Sequence, residues 1–398
     1  MKYVSWALVF IVLSCDIRKS DVEPDDSFVR VYESANIDEK YYPVDIIQPE
    51  EDYYLVLSAL IDSSLTNFPK IHLLALNLGG EVLATLTLPD NYVNPVKGWL
   101  SVGGNNYFVC MDDITLQSKL VQVMLNNNDE LRVTETMSFD RKMPLHAWYG
   151  EDAMILLSYD RIGRYTIIDR YDNNFNPQWW TAVNTNEDFE SAIWAHFQKT
   201  GKEFPFFAGA AGPKGDKDFF VNCLANYSMA LLFIEGQSGG ETGRIYAYQD
   251  ETGITSALSL QNDTFAISRY HSGDCYVYPK VYIDRNILQN TIDFQDILIS
   301  LLQDDAHTDI IKYNSDGKDY IVFASTSRAN QILLLFFDAV SGEQVYVHTL
   351  GYGNPVEITI MILTKDNGLA ILGKTWINGQ YQRIIFYKVS ENQLELEE

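Results

Sequence analysis

Tyr320-Ile-Val-Phe-Ala-Ser325 is followed by Gln331-Ile-Leu-Leu-Leu-Phe-Phe337, the turn Asp338-Ala-Val-Ser-Gly342 and the run Gln344 to Leu350. These residues decide the fold. The first two runs are too short for helices and apolar throughout, the pattern of strands covered on both faces. The Asp/Gly turn supplies the left-handed backbone that a tight hairpin needs.

The same unit recurs along the chain. Unit one has Tyr53 to Ala59, Ile71 to Leu76, the turn Asn77-Leu-Gly-Gly-Glu81 and Val82 to Leu88. Unit two has Tyr107 to Met111, Lys119 to Leu125, Asn126 to Glu130 and Leu131 to Thr136. Unit three has Ala153 to Ser158, Tyr165 to Tyr171 and the turn Asp172 to Asn176 before Trp179-Trp180. Unit four runs from Phe219 through Arg244 to Tyr248. Unit five is the least regular, with Thr264 to Ser268 and Tyr276 to Ile283. Unit seven has Leu369 to Gly373 and Arg383 to Val389.

The units start at positions 54, 107, 153, 220, 265, 320 and 369, with spacings between 45 and 67 residues. That is the length of a four-stranded propeller blade. Unit seven lacks a last strand, and Phe28-Val-Arg-Val-Tyr32 looks like the final strand of the other units. An N-terminal strand completing the last blade removes both loose ends and protects open sheet edges. The expectation is an all-β, seven-bladed β-propeller over residues 27–398, built of four-stranded antiparallel blades. Two stacked β-domains, or six or eight blades, are the alternatives.

Composition agrees with a folded body. Of 398 residues, 46 % are hydrophobic and 13 % aromatic, which excludes disorder as the dominant state. Lys and Arg number 29 against 54 Asp and Glu, a net charge of −25. That field repels phosphate backbones, so no nucleic-acid partner is expected.

The N-terminus reads as an address. Val4 to Leu13 is apolar except for Ser5. As a helix it would reach about 15 Å, half a bilayer's hydrocarbon core and the size of a signal-peptide h-region. Val12-Leu13-Ser14-Cys15 follows. It resembles the lipobox of bacterial lipoproteins, with Val12 where Leu is usual and Leu13 where Ala or Ser is commoner. The resemblance implies a signal peptide over residues 1–14 and lipid attachment, including palmitate, at Cys15. Residues 15–26 form an acidic tether, similar to the export signal of Bacteroidota surface lipoproteins but with dispersed acids. It implies an outer-membrane location facing the cell surface, the periplasmic face being the alternative. In such lipoproteins, propeller modules accompany outer-membrane transport, secretion or assembly machinery.

Two insertions interrupt the repeat, both expected on the rim. Asn186 to Gly201 carries Phe189, Ile193, Trp194 and Phe197 at helical spacing, with Thr185 or Asn186 as cap. Phe294, Ile297, Leu298, Leu301 and Leu302 predict a second helix near 292–304. Residues 184–217 are the longest departure from the repeat and the preferred contact surface. Trp180, Trp194, Phe204, Phe206 and Phe207 are the candidate binding residues; the alternative is that these rings seal the insertion onto blades three and four.

Chemical motifs are few. Gly236-Gln-Ser-Gly-Gly240 has the spacing of a nucleophile elbow, but strands are expected on both sides, so it reads as a hairpin loop. Asn314 to Asp319 lacks the ligand series of a calcium loop and reads as a turn. The six histidines show no metal-ligand pairing, and the three cysteines beyond Cys15 predict at most one disulfide. No catalytic residue, metal or cofactor is nominated. The expected function is a non-enzymatic binding or scaffold subunit of a cell-envelope complex. A glycan-binding or glycan-degrading surface lipoprotein is the alternative; a sensor or inhibitor module with a peptide partner comes third.

Overall fold

The computed structural model describes residues 27–394 except 34–35, 37, 50–52, 63–66, 202, 213–217, 247–251, 292–293, 295–296 and 352. The signal peptide, Cys15 and the acidic tether lie outside the described residues.

Among the described residues, strand pairing resolves into seven four-stranded antiparallel units, the first two joined in one sheet. Blade one comprises Lys40–Ile47, Tyr53–Ile61, Lys70–Asn77 and Val82–Thr87. Blade two comprises Leu100–Val102, Asn105–Asp112, Gln117–Leu125 and Leu131–Lys142, linked to blade one through the short strand Tyr92–Val93. Blade three is Pro144–Gly150, Ala153–Asp160, Tyr165–Tyr171 and Pro177–Asn184. Blade four is Phe207–Ala210, Phe219–Ala225, Ser228–Ile234 and Glu241–Tyr246. Blade five is Thr252–Ser259, Thr264–His271, Asp274–Tyr282 and Ile297–Leu298. Blade six is Thr308–Ser315, Lys318–Thr326, Ile332–Asp338 and Gln344–Leu350. Blade seven is Val356–Leu363, Leu369–Ile377, Tyr381–Val389 and, as its outer strand, Phe28–Tyr32.

The core shows that these units form a closed ring. Its buried apolar residues fall into seven clusters, each spanning a pair of neighbouring blades; the cluster between blades three and four also takes in Phe68, Val93 and Met111, and another joins blade seven to blade one. Middle strands are therefore sandwiched on both faces, and Tyr53–Ile61 and Ile332–Asp338 are buried along almost their whole length. Outer strands such as Val82–Thr87 alternate between partly buried and exposed. The molecule is a β-propeller.

Closure follows the expected route. Phe28 to Tyr32 pair residue for residue with Lys388 to Ile384. The Phe28 ring meets Phe386 edge-on at 5.2 Å, and Ser27 Oγ accepts the Ser390 N–H. The Tyr32 hydroxyl donates to the carbonyl of Gly80, a left-handed residue (φ 74°) whose missing side chain leaves room for the Phe28 ring. The strand thus clasps blade seven to blade one.

The first insertion forms the helix Glu190–Gln198, but its ends differ from expectation. Phe189 occupies the N-cap and the Asp188 carboxylate accepts the Glu190 N–H, while the Thr185 hydroxyl turns to the Glu187 carbonyl. Left-handed Lys199 ends it, before Gly201.

The described residues of 292–304 form no helix, contrary to expectation. Leu288–Asn290 runs parallel to the outer strand of blade four, and Ile297–Leu298 supplies the outer strand of blade five. Among the described residues no other segment pairs with that edge of blade five, and unmet backbone groups there outweigh a helical spacing of apolar side chains. Gly236 to Gly240 and Asn314 to Asp319 are hairpin connections. Cys110, Cys223 and Cys275 are buried free thiols.

Candidate functional site

The innermost strands surround an axial channel, and four of them carry a β-bulge. Pairing with the second strand slips between Pro43 and Asp45, Pro144 and His146, Ile254 and Ser256, and Ile358 and Ile360. The extra residues, Val44, Leu145, Thr255 and Thr359, all line a cavity of about 460 Å³ at the channel mouth. A bulge re-aims side chains, and here it replaces strict alternation with a shaped wall.

The insertion roofs this cavity. It does not sit on the rim. The helix reaches across the ring to the loop between the second and third strands of blade one, where Trp194 stacks on Phe68 at 4.7 Å. Gln198 Nε2 donates to the Asn67 carbonyl at 3.1 Å. Ile193 and Phe197 anchor the underside. Beyond the helix, the Phe204 N–H donates to His196 Nδ1, and the imidazole packs against Phe206.

Charge enters the mouth as cation–carboxylate pairs. Lys199 Nζ lies 3.3 Å from Glu203 on the roof, and Lys374 Nζ lies 2.8 Å from Glu357 on blade seven. The Lys374 ammonium also sits 5.8 Å from the ring centres of both Tyr42 and Trp376. Deeper, Lys97 of blade two reaches across the axis to Asp309 of blade six at 3.8 Å. Asp309 is fixed in turn by the Met361 N–H. Asp45, buried beside Lys97, accepts the N–H groups of Ile46, Gly98 and Trp99. Burial raises its carboxyl above the usual range, with Lys97 and these N–H groups opposing.

These surroundings set protonation. Glu203 is 48 % exposed, but into the confined mouth. Burial raises its pKa, and Lys199, His196 and Lys374 outweigh that, holding it at about 2. Burial pushes His196 down to about 3, and pushes His307 down to about 4 with help from Lys97. Both are neutral near pH 7. Among the described residues, no three metal-ligating side chains converge.

Trp194, Phe204, Phe206 and Phe207 come together around the roof and cavity. Trp180 does not: it is 61 % exposed on the outer strand of blade three, under the Arg141 guanidinium. The rings seal the insertion onto blade one as well as blades three and four. Sequence reasoning missed Tyr42, Asn94, Lys97, Asp309, Glu357 and Lys374. For Lys374 the only local signal is a charge set into the apolar strand Leu369–Ile377.

No family model matches the chain, and no curated protein does. Among solved structures, S. cerevisiae core factor is similar over 91 % of this chain and 60 % of its own, at 9 % identity and a TM-score of 0.51. The β-propeller domain of the Trilobed protease from Pyrococcus furiosus is 12 % identical, covering 87 % of this chain and 93 % of that one, with a TM-score of 0.48. The Dos1 propeller is 9 % identical over 87 % of this chain and 78 % of its own, with a TM-score of 0.49. At such identity the core-factor likeness is one of fold alone.

Proposed function

We propose that this chain is a non-enzymatic binding subunit of a cell-envelope assembly, tied to the outer membrane through lipidated Cys15. The roofed face of its ring is the surface that meets the partner. One observation carries this reading: the 186–206 insertion crosses the ring and meets its far side through Trp194 and Gln198, roofing the channel mouth. Long loops held by a rigid scaffold are where recognition concentrates.

The chemistry favours binding over turnover. A general acid or base works best with a pKa near the operating pH. Glu203 at about 2, His196 at about 3 and His307 at about 4 are far below that range, and Lys374 is held protonated by its carboxylate neighbours against the cost of burial.

Affinity capture from detergent-solubilised membranes tests the proposal. An envelope protein recovered with the wild-type chain and lost with Trp194→Ala supports it; equal recovery with both moves the contact off the roofed face. Loss of palmitate labelling in Cys15→Ala supports the anchor, and unchanged labelling removes it. Depolymerisation of a glycan by the purified protein would replace the binding reading with an enzymatic one.

A further inference from the structure

We propose that the roofed cavity is a binding site for a short uncharged saccharide, of mono- to trisaccharide size. This rests on the roofed face being the recognition surface, and adds what the cavity itself holds. Its volume of about 460 Å³ lies within the range of small-ligand sites.

Charge balance narrows the ligand class. The three lysines at the cavity, Lys97, Lys199 and Lys374, each already face a carboxylate. An anion would have to displace Asp309, Glu203 or Glu357, and must approach against a chain charge of −25. A cation would have to displace a lysine from Asp309, Glu203 or Glu357, and Asp304, also at the cavity, is paired with Arg328. Hydroxyl groups need displace neither, because a paired carboxylate keeps lone pairs and a paired ammonium keeps protons for further hydrogen bonds.

Two side chains point independently to a polar, uncharged guest. Asn94 is only 3 % exposed, lines the cavity, and has no partner for its Nδ2. His307 also lines the cavity, bonded to the Thr359 backbone, and its Nε2 has no partner. With the other ring nitrogen donating to that carbonyl, neutral His307 offers Nε2 as an acceptor, while Asn94 offers a donor. Buried polar atoms left unpaired are costly, and a hydroxyl, which both gives and accepts, answers both. The rings of Tyr42 and Phe204 supply apolar walls for the C–H faces of a sugar.

Isothermal titration of the full-length protein tests this, in a detergent without a sugar headgroup such as lauryldimethylamine oxide. The ligands are cellobiose, maltotriose, xylobiose, mannobiose and diacetylchitobiose, with glucose 6-phosphate and spermidine as charged counterparts. The expected result is binding of at least one neutral saccharide. Its affinity should fall about tenfold in Asn94→Gly, which keeps the left-handed backbone (φ 50°) and removes the amide. Phe204→Ala should weaken it similarly and decides the matter if Asn94→Gly does not fold. No neutral saccharide binding, tighter binding of glucose 6-phosphate or spermidine, or indifference to the folded variants overturns the proposal. Failure here with intact partner capture sinks the saccharide alone; loss of capture leaves the titration standing.

Discussion

The closure seam and the channel mouth both join segments far apart in the chain, by different means. At the seam, Phe28–Tyr32 adds a complete backbone ladder to Tyr381–Val389, with Phe28 packed on Phe386. At the mouth, the roof meets blade one through a stacked pair of rings and a side-chain hydrogen bond. A ladder fused to the core shares the cooperativity of the whole ring. A few side-chain contacts can be lost while the ring stays shut, so the roof is the part free to respond to a ligand.

The strongest test of that contrast is removal of residues 27–33. It exposes the edge of blade seven and uncovers Phe386, so unfolding in urea should show a loss of at least about 4 kcal/mol, or insoluble protein. Gly80→Ala comes next. A Cβ there would lie 2.3 Å from the Phe28 ring on a left-handed backbone, and the expected loss is about 2–3 kcal/mol by the same titration. Trp194→Ala should cost the ring only about 1–2 kcal/mol. Hydrogen exchange in that variant should quicken over 190–198 and stay unchanged over 381–389; equal acceleration of both would abolish the distinction.

Acid should separate the two regions further. The folded pKa values of His196 and His307 lie below the ordinary 6.5, so the unfolded or opened state takes up protons that the closed state refuses. Their contribution is complete above pH 6.5 and shrinks as pH falls toward 4. Each costs about 1.4 kcal/mol per pH unit in that window. The paired strands of the seam contain no histidine. Exchange protection should therefore fall more over 190–198 than over 381–389 between pH 7 and pH 5. Smallest of all, Arg132→Gln breaks an exposed ion pair with Glu130 on blade two and should leave the melting temperature unchanged.

The ring was legible in sequence because second and third strands are buried on both faces, and Leu333 to Phe337 or Leu55 to Leu57 announce this as unbroken apolar runs. Innermost strands stayed hidden. Their polar channel-facing residues and the bulges at Val44, Leu145, Thr255 and Thr359 shift the phase of alternation midway, so no period of two survives. A repeated small polar residue in the second strand was the available clue: Ser58, Ser158, Ser268 and Ser325 are all buried in corresponding strands. The aromatic part of the site was visible because its rings cluster within one insertion. Its charged part was not, since Lys97, Asp309 and Lys374 come from three blades and meet only when the ring closes.

The N-terminal strand lies at the outside of blade seven, which has a mechanical consequence. Whatever precedes Phe28 in the chain pulls on the perimeter, never on the axis. An attachment made through this strand would hold the ring like a coin by its edge, leaving the roofed mouth and the opposite face clear of the point of attachment.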